Sequence, residues 1–77
     1  MTVWEVESEN LTHLGGPMGT EYTTTNWRKL CKTLAAAKRV AEEDFRKPIA
    51  WIRAGKGCRS DDFGHVMYRI QPQEVVE

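Results

Sequence analysis

Alternating side chains at the start of the chain predict a β-strand. From Thr2 to Glu7, Trp4 and Val6 point to one side, whereas Val3 and Glu5 point to the other. Such a two-residue period is typical of a strand with one buried face. Residues 8–19 then contain three glycines and a proline. These residues break regular structure, so the pattern predicts a long surface loop there.

A second short strand is predicted by the β-branched run from Glu21 to Thr25, with Tyr22 facing the core. The strongest periodic signal follows it. Apolar side chains recur at spacings of three and four, as one stripe of a helix requires. The stripe comprises Trp27, Leu30, Cys31, Leu34, Ala37, Ala41 and Phe45.

The start of this helix is left open by the sequence, because two residues can cap it. Asn26 would begin a long helix that includes Trp27, and Thr33 would begin a shorter one over residues 34–45. In the second case residues 27–32 are extended, and Trp27 becomes available as an exposed anchor for a partner. Pro48 is expected to end the helix in either case.

Two further strands are predicted as an antiparallel hairpin with a long tip. The first covers residues 49–53 and the second residues 65–70, where Val66, Tyr68 and Ile70 share one face. The glycine-bearing, charged residues 54–62 between them read as a loop. Pro72 is expected to stop the last strand, and residues 73–77 are expected to form a short tail.

These elements predict a single α+β domain over residues 1–77. The simplest arrangement is a small antiparallel sheet of three or four strands, in the order β-(β)-α-β-β, with one helix packed on it. So short a chain buries only about 60% of the surface that its unfolded form exposes. The predicted core contains Trp4, Val6, Leu30, Leu34, Ala37, Ala41, Phe45, Ile49, Trp51, Val66, Tyr68 and Ile70.

Composition adds a distribution of charge that the net value hides. The net charge is zero, but residues 1–25 carry −4, residues 26–60 carry +7 and residues 61–77 carry −3. Either the charges form a basic face with acidic margins, or they interleave in space and cancel. No apolar run approaches 18 residues, and the N-terminus shows no secretory signal, so we expect a cytoplasmic protein that does not enter a membrane.

The sequence offers little catalytic or metal-binding chemistry. Cys31 and Cys58 form no CxxC motif, and His13 and His65 do not complete a zinc signature. We therefore expect free thiols that serve packing, no metal and no cofactor. No nucleophile and base occur at a recognisable spacing, and Gly55-Lys56-Gly57 does not fit the Walker pattern. We therefore expect that the protein is not an enzyme.

The residues predicted to bind a partner are charged and lie in three groups. Arg28, Lys29 and Lys32 precede the helix core, whereas Arg53, Lys56 and Arg59 surround the hairpin tip. Asp61 and Asp62 follow that tip. Lysine and arginine side chains at such places can meet acidic protein residues or nucleic-acid phosphates without strict geometry.

Part of the chain resembles a known class of proteins. The run Thr33–Phe45, the segment Lys47–Trp51 and the segment Ser60–Ile70 resemble small accessory proteins of bacteriophages. In element order they are similar to anti-CRISPR proteins that bind the type I Cascade complex. In those proteins a helix of the form TLxxAKRxA lies between strands of a small antiparallel sheet. The resemblance covers roughly residues 33–70.

This resemblance implies a stoichiometric inhibitor that acts in the cytoplasm of a bacterial host. It would bind a CRISPR–Cas effector complex and block access of target DNA. The alternative is a small nucleic-acid-binding module that uses the basic hairpin tip and helix face. We expect a monomer or a weak dimer, the latter if Thr2–Glu7 is an exposed edge strand.

Overall fold

The computed structural model describes the backbone of residues 1–14, 20–61 and 63–76, and their side chains except those of residues 11–14 and 20–23. Five strands and one helix follow in the order β1 (Thr2–Leu14), β2 (Thr20–Cys31), α1 (Leu34–Phe45), β3 (Ile52–Ala54), β4 (Gly57–Arg59) and β5 (Val66–Glu74). The strands form one antiparallel sheet in the order β2-β1-β5-β4-β3, and α1 packs on one side of it. The predicted α+β class is confirmed, with one strand more than the sequence indicated.

Strand β1 lies inside the sheet, because it pairs with β2 on one side and β5 on the other. The prediction that Thr2–Glu7 is an exposed edge was therefore wrong. The predicted loop over residues 8–19 was also wrong in its first half, since β1 continues to Leu14, opposite Thr20. Backbone pairing with β2 supports these residues, and the sequence of one strand alone does not show that pairing. Residues 15–19 lie outside the described part of the chain, as does the side chain of Tyr22.

The helix begins after Thr33, and this resolves the choice that the sequence left open. The Thr33 backbone is extended, with φ of −132°, and its hydroxyl accepts a hydrogen bond of 3.1 Å from the Ala36 amide. Asn26 does not cap a helix but lies within β2, at an irregularity where Ser8 pairs with Trp27 and Glu9 with Thr25. Asn26 is thus the extra residue of a β-bulge.

The apolar stripe was consequently misassigned in its first three members. Trp27 and Cys31 stand four residues apart, a spacing that places them on one face of a strand as well as of a helix. Leu30 has the other parity and therefore lies on the opposite face of the sheet, where 61% of its surface is exposed. Its prediction as a core residue was wrong for this reason.

The end of the helix agrees with the sequence. Arg46 adopts a left-handed conformation with φ of 64°, and its amide donates a hydrogen bond of 2.7 Å to the Glu42 carbonyl. Pro48 follows directly outside the helix. The Glu42 carboxylate then accepts a hydrogen bond from the Ile49 amide at 3.2 Å, which fixes the chain as it leaves α1.

The predicted long hairpin tip contains an unpredicted strand. Strands β3 and β4 are joined by a tight turn at Gly55 and Lys56, where Gly55 has φ of +60°. Strand β4 then pairs with β5 through Cys58 and Arg59. Three-residue strands give no readable alternation, and glycine is depleted from strands in general. The sequence therefore favoured a loop, and it also placed the start of β3 too early.

A carbonyl group of β5 explains the glycine at the start of β4. A Cβ atom on Gly57 would lie 1.9 Å from the Ile70 carbonyl oxygen, so only glycine allows this approach. Pro72 does not stop β5, which was a further wrong prediction. It pairs with Trp4 on β1, and on its other side β5 meets the β3–β4 turn rather than a strand. The missing amide of proline is tolerated at such a position.

The core lies between α1 and the covered face of the sheet. Its buried apolar members are Val6, Cys31, Ala37, Ala41, Ile49, Cys58, Tyr68 and Ile70. Six of these were predicted, and both cysteines are buried free thiols. Trp4, Leu34, Phe45, Trp51 and Val66 were also predicted there and are partly buried against this cluster.

Candidate functional site

The predicted partner-binding residues separate into two groups at opposite edges of the sheet. Arg28 and Lys29 lie on β2, and Lys32 follows it. Arg53, Lys56 and Arg59 lie on β3, the turn and β4 at the other edge. Neighbouring strands are about 4.8 Å apart, so β2 and β4 are separated by about 14 Å. The two groups do not form one continuous basic surface.

Between these edges, on the sheet face opposite α1, charges of both signs interleave. The Arg28 guanidinium donates a hydrogen bond of 2.8 Å to the Glu7 carboxylate. Arg69 lies 3.7 Å from the Glu9 carboxylate. Glu7 and Glu9 are therefore paired with basic residues on this face, as the second of the two charge arrangements considered from the sequence requires.

Glu9 is the buried acid of this face, with 6% of its surface exposed. Burial raises the pKa of its carboxyl above 4.5, and the adjacent Glu7 raises the pKa further, whereas Arg69 opposes both effects. Burial therefore destabilises the ionised form of Glu9, and the ion pair with Arg69 offsets this effect only in part. The side chain belongs to the interior of the sheet and is not accessible to a partner.

Asp61 follows a residue with a structural role. Ser60 is fully buried, and it joins β4 to β5 by two hydrogen bonds with Tyr68, one from its amide at 2.8 Å and one to its hydroxyl oxygen at 2.9 Å. Its hydroxyl also donates to the Asp61 carbonyl. Asp61 itself is exposed beside this junction. Asp62 lies outside the described residues.

A cavity among the described residues is a groove between β2 and α1. Its volume is about 410 Å³. It is lined by Trp27, Arg28, Lys29, Val40, Glu43 and Asp44. We call this cavity the β2–α1 groove. Trp27 and Val40 supply apolar surface, Lys29 supplies a positive group, and Glu43 and Asp44 supply two negative groups. The Arg28 guanidinium is bound to Glu7 on the other face of the sheet.

A hydrogen bond joins the acidic wall of the groove to the core. The Tyr68 hydroxyl donates to the Asp44 carboxylate at 2.7 Å, and the rings of Tyr68 and Trp27 are 6.4 Å apart. Tyr68 is 2% exposed, and burial together with this carboxylate raises the pKa of its phenol. The phenol therefore stays protonated at physiological pH and remains a donor to Asp44.

The sequence identified only part of this groove. Arg28 and Lys29 were predicted to bind a partner, and Trp27 was considered as an anchor if the helix began at Thr33. Val40, Glu43 and Asp44 were missed, because they come from the next element and only the packing of α1 on the sheet brings them near β2. A smaller cavity of about 250 Å³ lies at the other edge, beside Lys56 and Gln71.

Strand β2 presents a long edge next to the groove. It has 12 residues, and within the described part of the chain no strand pairs with its outer side. Lys29 is opposite the buried Val6 and therefore lies on the α1 side of the sheet, whereas Arg28 and Leu30 lie on the open side. This arrangement can bind an extended segment, with the groove available to its side chains.

Comparison with known proteins assigns no family or function to this groove and strand edge. No protein-family model, curated protein or solved structure matches the chain. Within the described residues, no three His, Cys, Asp or Glu side chains are grouped closely enough to hold a metal ion. No helix in that part of the chain has the length and hydrophobicity needed to span a bilayer.

Proposed function

We propose that this protein is a stoichiometric inhibitor that binds a protein complex of a bacterial host. The type I Cascade complex is the specific target that the resemblance to anti-CRISPR proteins implies. Binding would block the access of target DNA, and the inhibitor would perform no chemistry of its own. Its contact surface would be the outer edge of β2 together with the β2–α1 groove.

One observation carries the location of this surface. The β2 edge combines a long strand, which has no partner on its outer side within the described residues, with a basic row and the β2–α1 groove. Arg28, Lys29 and Lys32 are all exposed there. Protein interfaces are built from such combinations of an apolar recess and a charged rim, with arginine and tryptophan as frequent anchors.

The distribution of charge and aromatic side chains favours a protein partner over nucleic acid. The groove carries Glu43 and Asp44 as well as Lys29, so it offers no purely basic path for phosphates. Every aromatic side chain that the structure describes is in the core or packs against it. None of them is left on the open face to stack with bases, as single-strand binding on a sheet requires.

The test compares two double variants that change the same charge at opposite edges. Lys29→Glu with Lys32→Glu alters the β2 edge, and Arg53→Glu with Lys56→Glu alters the β3–β4 hairpin. All four side chains are exposed, so both variants should fold. Tagged proteins would be used to capture partners from bacterial lysate with and without nuclease, and purified Cascade would be assayed for target DNA binding in their presence.

We expect wild type and the hairpin variant to capture a defined protein complex that survives nuclease and to block DNA binding by Cascade. The β2 variant should lose both activities. Capture of nucleic acid alone, abolished by nuclease and weakened steeply by salt, would support the nucleic-acid-binding module instead. Loss confined to the hairpin variant would move the contact surface to the other edge.

A further inference from the structure

The unpaired edge of β2 points to a particular mode of binding, and the argument rests on the proposed function at that surface. We infer that an extended segment of the partner pairs with β2 as a sixth strand and inserts a large apolar side chain into the β2–α1 groove. The main-chain groups along the outer side of β2 supply the hydrogen bonds of this mode, and the groove supplies selectivity.

The geometry of a strand places the side chains of such a segment. Alternate residues of an added strand point to opposite sides of the sheet. Those on the α1 side would lie beside Trp27 and Lys29, at the mouth of the groove, and those on the open side would lie beside Arg28 and Leu30. One added strand therefore uses both sides of the β2 edge.

The balance of charge in the groove selects an apolar anchor. Lys29, Glu43 and Asp44 stand around its mouth, and the Asp44 carboxylate already accepts a hydrogen bond from Tyr68, so the net charge around the mouth is small. Trp27 and Val40 are partly buried and offer apolar surface that water now covers. Burial of that surface by an aromatic or large aliphatic side chain is therefore the interaction that favours binding in the groove.

The basic row argues against a second copy of this chain as the added strand. Antiparallel pairing of β2 with itself over the groove would be centred near Lys29 and would bring Arg28 and Lys29 of both copies together. Like charges at facing positions destabilise a strand pair. Acidic residues beside the anchor fit this edge better, because they would face Arg28 on the open side.

A synthetic peptide provides a defined probe. We choose the acetylated and amidated sequence Val-Thr-Glu-Phe-Glu-Thr-Val, in which phenylalanine would face the groove and the glutamates the open side. Two versions N-methylated at alternate residues remove the hydrogen-bond donors of one peptide edge or the other. A version with lysine at the centre tests the anchor. Binding would be followed by tryptophan fluorescence and by hydrogen exchange of the β2 amides.

The wild-type protein should bind the phenylalanine peptide and gain exchange protection in β2 but not in β3. One N-methylated version and the lysine version should each bind at least about tenfold more weakly, a difference of 1.4 kcal/mol. Val40→Glu should also weaken binding, whereas Ala35→Glu, which adds the same charge at an exposed site of α1, should not. Since exchange is measured on wild type, the test does not depend on the fold of a variant.

The results also separate this inference from the proposed function. If a host complex is captured and β2 amides gain no protection in that complex or with the peptide, strand addition is wrong while the inhibitor proposal stands. If the peptide adds to β2 and no host complex is captured, the binding mode stands and the inhibitor proposal fails. Tighter binding of the lysine peptide would overturn the apolar anchor.

Discussion

The two edges of the sheet are built differently. The β3 edge is a three-residue strand that ends in a tight turn, and its neighbour β4 is held against β5 by the close approach of Gly57. The β2 edge has 12 residues, an irregularity at Asn26 and a groove beside it. Proteins commonly shorten edge strands to prevent pairing with other chains. Here one edge is shortened and the other is long, which is the pattern expected if pairing at β2 is useful.

Gly57→Ala should have the largest effect on stability, because it disturbs the packing of the short edge against β5. The added Cβ would lie 1.9 Å from the Ile70 carbonyl oxygen, and one of the two backbones must move. We expect a loss of about 3 kcal/mol in the free energy of unfolding, at the upper end of overpacking effects. Urea denaturation followed by circular dichroism would measure it.

Gly55→Ala is the matched control in the same turn. Nothing lies within 4 Å of a Cβ atom at Gly55, so only its φ of +60° opposes the substitution. A left-handed alanine costs about 1 kcal/mol. Equal losses for the two variants would show that β4 is not held against β5 as described, and the contrast between the edges would lose its structural basis.

Tyr68→Phe tests the wall of the groove at the long edge. The substitution removes the hydrogen bond to Asp44 and keeps the buried ring. Hydrogen bonds to charged groups contribute about 1.5–3 kcal/mol, and we expect about 1.5 kcal/mol because Asp44 is exposed and can be solvated. Thermal and urea unfolding would measure the loss. Probe binding in the β2–α1 groove should also weaken, since Asp44 is no longer held; unchanged stability and unchanged binding would contradict this role.

Thr33→Ala should loosen the junction between β2 and α1. The variant loses the hydrogen bond from the Ala36 amide, and the loss of such an N-cap costs about 1 kcal/mol. Amide exchange in the first turn of α1 should quicken, while exchange in β4 should not change. Thr33→Ser keeps the hydroxyl and serves as the control. A loss for both variants would show that the methyl group, rather than the cap, is what matters.

The helix and the fold class could be predicted because their signals are local. Thr33, the alanine-rich run after it and Pro48 mark the ends of α1 by themselves. The sheet is different, because residues 8–14 and 57–59 become strands through pairing with other strands rather than through their own local preference. Their own residues, including Gly57, read as a loop, and tertiary pairing overrides that preference.

The sequence predicted only those residues of the candidate site that lie on β2. Arg28 and Lys29 were chosen for their charge, and both line the groove. The second basic group lies at the other edge because the order of strands, which no local pattern reveals, separates β2 from β4. Glu43 and Asp44 were not among the residues predicted to bind a partner. Their approach to Trp27 depends on how α1 crosses the sheet, and no pattern in the sequence indicates that crossing.

Glu9→Gln gives the smallest expected effect and concerns the strand between the two edges. The pKa of Glu9 is raised in the folded state, so from pH 4.5 upward the folded protein binds more protons at this site than the unfolded chain does. The contribution of Glu9 to stability therefore falls as the pH rises through its raised pKa. Glutamine does not titrate, so the stability of the variant relative to wild type should increase between pH 4 and pH 7, as measured by urea unfolding at several pH values. The opposite slope would mean that the ion pair with Arg69 outweighs burial. In that case the open face would stabilise the sheet through its charges.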